Sequence, residues 1–528
     1  MKPNYLKRGA TYAFLLLIVA CSEEATNGES NNHPYMDSVS NYDLVEEATT
    51  ESDDVYMTEE PEIDYFNTEE YAYLPENEFL SPGVNPLSTF SIDVDNASYT
   101  NVRRILNEGR MPSVDAVRTE EFINYFNYDY PIPEKEDVFL VYTELGQCPW
   151  NRDNQLLHVG LKGYTVPIGE LPPANLVFLL DVSGSMDDQN KLPLLKRSFK
   201  MMVDNLNAKD RVSIVTYAGD ERLVLPSTSC ENKAEIIAAI DNLSAGGATN
   251  GEGGIEMAYQ QAVAHFIKEG NNRVILATDG DFNIGKSSGG DLTRLIEEKR
   301  DLGVYLTILG FGMGNYKDAQ MESLANNGDG NYFYIDDILE SNHVLVDNLA
   351  GTLFTIAKDV KIQVEFNPAV VKEYRLIGYE NRLMNAEDFV DDKKDAGELG
   401  AGHTVTALYE IVPGEAVAQN LKYQNRSTEK STEWATIKLR FKRLNQSKSE
   451  LVERVVYPSN HAVEETSHLF RFSAGVAAFS LLLRKSKYNN DFTYSDVEDL
   501  VKSALLLSDL DKVSFLEMVE KARLLDEQ

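Results

Sequence analysis

Cysteine and tryptophan are scarce in this chain, with three of one and two of the other in 528 residues. Three thiols cannot staple a chain of this size, so its stability has to come from hydrophobic cores and not from a disulfide framework. Cys21, Cys148 and Cys230 show no zinc-ligand spacing, and the seven histidines are scattered. Cys148 and Cys230 are expected to be unpaired, partly buried thiols. Lysine and arginine are missing altogether from Ser22 to Leu80, where 18 Asp or Glu stand among Asn, Ser, Thr and Tyr. Such a segment buries too little apolar surface to offset its ordering entropy, and it is expected to be a disordered, self-repelling tether. The formal net charge of -36 argues against nucleic acid as a partner, because the phosphate backbone would be repelled. Enzyme signatures are thin: there is no H-E-x-x-H helix, and Ser183 and Ser185 have no histidine base nearby in sequence.

What is present begins with a short leader. Lys2, Lys7 and Arg8 precede an apolar run from Ala10 to Ala20, which is too short to span a bilayer comfortably and has the layout of a secretory signal. It ends Ile18-Val-Ala-Cys21, which resembles a bacterial lipobox. The resemblance implies lipid on Cys21, a membrane anchor and a place in the cell envelope at the outer membrane. Ser22-Glu-Glu24 is similar to the acidic export signal of surface lipoproteins.

The most informative stretch is Asn175-Leu-Val-Phe-Leu-Leu-Asp-Val-Ser-Gly-Ser-Met186. Five apolar residues read as a buried strand, and Asp181, Ser183 and Ser185 fan out where it ends. In an open parallel sheet that is the mouth of the ligand crevice. Thr249, in the glycine-rich Gly246-Gly-Ala-Thr-Asn-Gly251, and Asp279, at the end of the strand Arg273 to Thr278, offer two more oxygens. Hydroxyls and carboxylates suit a hard divalent cation. Gly246 and Gly247 are read as supports that let backbone approach the ion, and Asp281 as a neighbour of the ion that orients a water or tunes partner choice.

These five positions resemble the metal-ion-dependent adhesion site of the von Willebrand factor type A family, D-x-S-x-S followed by a distant Thr and a distant Asp. The resemblance implies Mg²⁺ or Mn²⁺ held by Asp181, Ser183, Ser185, Thr249 and Asp279, with the Asp or Glu of a partner protein completing the octahedron. It makes the protein a recognition module and not an enzyme. Alternative readings are an assembly or chaperone-like subunit working with an AAA-type ATPase or a multiprotein envelope complex, and a hydrolase using a metal-bound water. Oligomeric state is left open.

Alternation of strands and helices from 174 to 357 predicts a doubly wound α/β domain with a six-stranded, mostly parallel sheet, Arg222 to Leu225 forming an antiparallel edge. Strand patterns at Thr89 to Asp95, Val138 to Leu145 and Leu156 to Tyr164, and again at Val360 to Phe366, Glu373 to Gly378, Val405 to Ile411 and Trp434 to Phe441, predict a β-sandwich into which that domain is inserted. The remaining boundaries are a signal at 1–21, tether at 22–84, amino-terminal flank at 85–173, strand-rich flank at 358–443, linker at 444–461 and helical region at 462–528. Asp93 and Asp95 are placed by alternation on a solvent face. The acidic run Glu387 to Asp395 is read as a solvated loop, Asn326 to Asn331 as a turn, and Ser495-Asp-Val-Glu498 as a helix-opening capping box.

The flanks carry a second resemblance. Phe90-Ser-Ile-Asp-Val-Asp-Asn-Ala-Ser-Tyr99, Val364-Glu-Phe-Asn-Pro-Ala369 and Leu376-Ile-Gly-Tyr-Glu-Asn-Arg382 are similar to a bacterial group of envelope proteins called YfbK-like, across residues about 85 to 526.

Overall fold

The run Ala174–Asp181 is buried at every position, which a strand achieves only where both faces of its sheet are covered. The computed structural model describes residues 69–528 apart from 135, 248–250, 281–288, 315, 316, 417–430, 445 and 506–508. The described residues belong to one compact unit. The signal, Cys21 and most of the expected tether lie outside them.

The amino-terminal flank supplies β1 (Leu87–Ser91), α1 (Ala97–Asn107), α2 (Thr119–Asn124) and the hairpin of β2 (Phe139–Cys148) and β3 (Asn151–Gly163). The α/β layer follows with β4 (Ala174–Asp181), α3 (Leu192–Asn205), β5 (Arg211–Tyr217), β6 (Glu221–Ser229), α4 (Lys233–Asp241) and α5 (Gly251–Ala264). It continues with β7 (Asn271–Thr278), α6 (Gly289–Asp301), β8 (Val304–Phe311), α7 (Asp318–Asn327) and β9 (Tyr332–Ile335). Its last helical stretch is α8 (Ile338–Asn342), a π turn at His343–Asp347 and α9 (Leu349–Leu353). The sheet order is β6-β5-β4-β7-β8-β9, parallel throughout except for the antiparallel edge strand β6. Alternation along β4 decides which helix it meets. Leu176, Phe178 and Leu180 share a core with Leu195, Phe199 and Met202 of α3, while Val177 and Leu179 face Ile255, Ala258 and Tyr259 of α5.

The carboxy-terminal flank adds β10 (Thr355–Phe366), β11 (Val371–Ile377), β12 (Gly397–Gly400), β13 (Thr404–Pro413), β14 (Ala435–Arg443) and β15 (Glu450–Val456). Both sheets of the sandwich need strands from either side of the α/β layer. β1 pairs with β10 through Phe90 and Ile362, and β13 pairs with β3 through Ala407 and Val159. The expected linker thus carries a strand, β15, which runs antiparallel to β14. An edge strand exposed on both faces has no apolar period to read in sequence.

Helices α10 (His468–Leu483), α11 (Tyr494–Lys502) and α12 (Leu510–Asp526) close the fold. Phe472 and Phe479 of α10, Phe515 of α12, and Phe122 and Phe126 at α2 form one aromatic core, which also covers Leu156 and Leu408 on the outer face of the β3 sheet. The cap that opens α11 is Thr493 with Asp496, two residues earlier than the Ser495-Glu498 box expected. Among the described residues no helix is long and apolar enough to cross a membrane.

Asp93 and Asp95 are not on a solvent face. Pairing stops at Ser91, so strand alternation no longer applies to them, and they are only 4% and 2% exposed. Arg382 meets Asp93 at 3.0 Å and Asp95 at 3.1 Å, and Asp95 Oδ1 accepts the Tyr332 N–H at 2.9 Å, capping the edge strand β9. Arg118 joins Glu121 to Asp318 of α7. Burial pushes the Asp95 carboxyl well above the usual range, and the neighbouring Asp93 adds to that.

His158 is fully buried beneath α10, with Tyr130 Oη 2.6 Å from Nε2 and Ser473 Oγ 2.9 Å from Nδ1. Burial lowers its pKa from 6.5 to about 4, so the folded chain holds it neutral while the unfolded chain protonates it first. The stability this neutral ring contributes is present above pH 6.5 and is lost as pH falls through 4, about 3 kcal/mol in all. His158→Gln is expected to flatten that part of the pH profile. Urea unfolding at pH 4 to 7 checks this, and parallel profiles for the two proteins would contradict it.

Candidate metal centre

Registers Leu180–Ala277 between β4 and β7, and Thr278–Gly310 between β7 and β8, end the three strands level with one another. Asp181, Asp279 and the turn after β8 therefore share one rim of the sheet, the crevice side of a doubly wound fold. Asp181 and Asp279 are both fully buried, Ser183 is 1% exposed and Ser185 is exposed.

Local geometry aims the hydroxyls. Asp181 Oδ1 accepts the Ser183 N–H at 2.9 Å, which bends the chain directly after the strand, and a single 3₁₀ turn spans Gly184–Asp187. Ser183 Oγ and Ser185 Oγ end 3.0 Å apart. Asp181 Oδ2 accepts the Thr278 hydroxyl at 3.3 Å, which ties the first strand end to the second. The glycine loop is pinned to the same turn: Gly246 N–H donates to Val182 O at 2.8 Å, and Gly184 N–H to Gly247 O at 3.1 Å. Gly247 has φ +90°, and a Cβ there would stand 3.1 Å from Gly219 N, so this close approach needs glycine. Thr249, two residues further, and Asp281 lie outside the described residues.

Burial pushes the Asp181 carboxyl up to about 6; Asp279 adds to the rise, and bonds from Ser183 oppose it. Two hydroxyls in contact share the rim with two buried carboxylates, an all-oxygen set. That chemistry fits a hard divalent ion, with Asp181, Ser183, Ser185 and Asp279 as the described residues able to hold it. The structure brings these four to one rim.

Sequence reasoning missed Lys191. Its ammonium donates to Asp279 Oδ2 at 3.0 Å and to Ser185 O at 2.9 Å. The available signal was a lysine at the mouth of the helix that follows the donor turn. Sequence reasoning also passed over a pattern: Gly280 to Ser287 spells G-x-x-x-x-G-K-S and Gly285 to Gly289 spells G-x-S-x-G. Residues 281–288 lie outside those described. Asp279 and Asp281 flank the first glycine, a poor setting for a polyphosphate.

The turn and the acidic loop weighed separately in sequence meet in space. Asp329, Asp395 and Glu398 offer oxygens within 4.8 Å of one another. Lys358 stands 2.9 Å from Asp329, and Arg300 stands 2.8 Å from Asp395, so basic side chains already supply opposite charge there. Cys148 and Cys230 are free and buried.

Comparison with known proteins adds three family matches. Residues 175–347 match the von Willebrand factor type A domain, residues 65–158 match the model described as von Willebrand factor, and residues 351–525 match "Uncharacterized protein YfbK, C-terminal". The Escherichia coli (strain K12) protein described as "Uncharacterized protein YfbK" is 43% identical over 450 residues, which is 83% of this chain and 78% of that one. The human inter-alpha-trypsin inhibitor heavy chain H3 is 29% identical over 175 residues, 31% of this chain and 19% of its own length. Among solved structures, "von Willebrand factor type A from Catenulispora acidiphila" aligns over 75% of this chain and 91% of its own at 14% identity, with a TM-score of 0.42.

The charge on Asp181 costs stability when no cation is bound. A carboxyl raised from 3.8 to about 6 gives its full stabilisation below pH 3.8 and loses it as pH rises through 6. At pH 7.5 the whole loss, up to about 3 kcal/mol, is present. Asp181→Asn is therefore expected to stabilise the metal-free chain at pH 7.5 and to abolish any rise in melting temperature on adding Mg²⁺. Chemical and thermal unfolding with and without Mg²⁺ check both, and a variant less stable than the native chain at that pH would contradict the first.

Proposed function

We propose, from the premise that this chain belongs to the YfbK family of von Willebrand factor type A proteins, that it captures a protein partner through a divalent cation. Asp181, Ser183, Ser185, Thr249 and Asp279 hold Mg²⁺ or Mn²⁺, and an Asp or Glu of the partner supplies the remaining ligand. One observation carries the reading: the Ser183 and Ser185 hydroxyls stand 3.0 Å apart beside the buried Asp181, on the rim that Asp279 shares. A cation held largely by neutral hydroxyls keeps its Lewis acidity and draws in an anionic oxygen. The role proposed is recognition: Ser185 is exposed at the rim, where a partner's carboxylate can reach it.

The leader supports a proposed place for this module in the cell envelope at the outer membrane. Lipid on Cys21 anchors it, and the acidic stretch after Cys21 separates the folded part from the bilayer. Crosslinked pull-down from intact cells tests the proposal. The native chain is expected to recover a partner in Mg²⁺ and to lose it on adding a chelator, and Asp181→Ala is expected to recover none. Equal recovery by both proteins, with and without chelator, would contradict it.

A further inference from the structure

Lys191 stands immediately before α3, 6% exposed, with its ammonium among the residues assigned to the cation. It donates to Asp279 Oδ2 at 3.0 Å and to Ser185 O at 2.9 Å, and lies 3.7 Å from the exposed Asp188 carboxylate. Its stem is seated as firmly as its head. The aliphatic chain crosses Gly312, where a Cβ would come within 2.8 Å of Lys191 Cγ and closer still to Cε. Gly312 has φ +74°, so the turn after β8 takes a conformation that suits glycine and leaves a slot for this lysine.

A buried ammonium at this position changes the charge of the centre. Among the described buried groups, the carboxylates of Asp181 and Asp279, the ammonium of Lys191 and a divalent ion sum to one surplus positive charge, the Asp188 carboxylate being exposed and screened by water. A neutral residue at 191 would leave the same ion-loaded centre neutral. A cation is repelled by a like charge held nearby in a site that water screens weakly, whereas an incoming carboxylate is attracted by it.

We propose that Lys191 is the resident counter-ion of this centre, weakening its hold on a divalent ion and strengthening the ion-loaded centre's demand for a partner's carboxylate. The inference rests on the metal-binding reading above and assigns the selectivity for an acidic partner to one side chain. Lys191 is a positioning and charge-setting residue; the ion's own ligands are the five oxygens already named.

Calorimetric titration of the purified full chain with Mn²⁺, with and without acetate as the carboxylate probe, tests it. Lys191→Met and Lys191→Gln are expected to bind Mn²⁺ at least about tenfold more tightly than the native chain. Acetate is expected to tighten Mn²⁺ binding to the native chain and to have little effect on either variant. Should Lys191→Met fail to melt cooperatively, Lys191→Gln, which keeps a donor for Asp279 and Ser185, decides. Variants that bind Mn²⁺ no more tightly than the native chain, or that respond to acetate as it does, overturn the proposal while leaving the metal site standing. A native chain that binds no more Mn²⁺ than Asp181→Ala overturns the metal site and this proposal together.

Discussion

Two carboxylates buried at the end of an apolar sheet are the constraint on which the rest depends. β4 has to be apolar because helices cover both of its faces, and that same covering strips water from Asp181 where the strand stops. Bonds from Ser183 and Thr278 soften the cost without removing it, since burial still holds the Asp181 carboxyl at about 6. Asp279 has the ammonium of Lys191 as a partner, whereas the hydroxyls of Ser183 and Ser185 bring oxygen and no charge.

The surroundings hold that rim in register. The α/β layer is tied into a sandwich that neither flank can build alone, because β1 pairs with β10 and β3 with β13 across the inserted domain. Arg118 and Arg382 join the amino-terminal flank, the loop after β11 and α7 through Asp318, Glu322 and Asp93, the last of which alternation alone had sent to solvent. The last helical stretch of the layer, α8 to α9, runs through Phe354 directly into β10, the central strand of one sandwich sheet.

Much of this was legible in the sequence, and the reasons are local. The strand-helix alternation announced the six-stranded sheet with its antiparallel edge, since hydrophobic period is a short-range signal. The donor turn was readable because Asp181, Ser183 and Ser185 lie within five residues. Failures came where distant parts meet. Asp95 caps Tyr332, 237 positions away, and Lys191 reaches Asp279, 88 positions away; neither contact leaves a trace in spacing. β15 was missed for the opposite reason, as an exposed edge strand carries no buried face to impose a pattern. Thr249, Asp281 and Cys21 lie outside the described residues, so their roles stand on sequence resemblance and on the proposal built from it.

The most direct test of the central claim is anomalous diffraction from a crystal of the chain equilibrated with Mn²⁺. The account predicts one strong peak at the strand ends, about 2 Å from the Ser183 and Ser185 hydroxyl oxygens and within reach of Asp181, Thr249 and Asp279. A peak confined to Asp329, Asp395 and Glu398, or no peak on the rim, would contradict it.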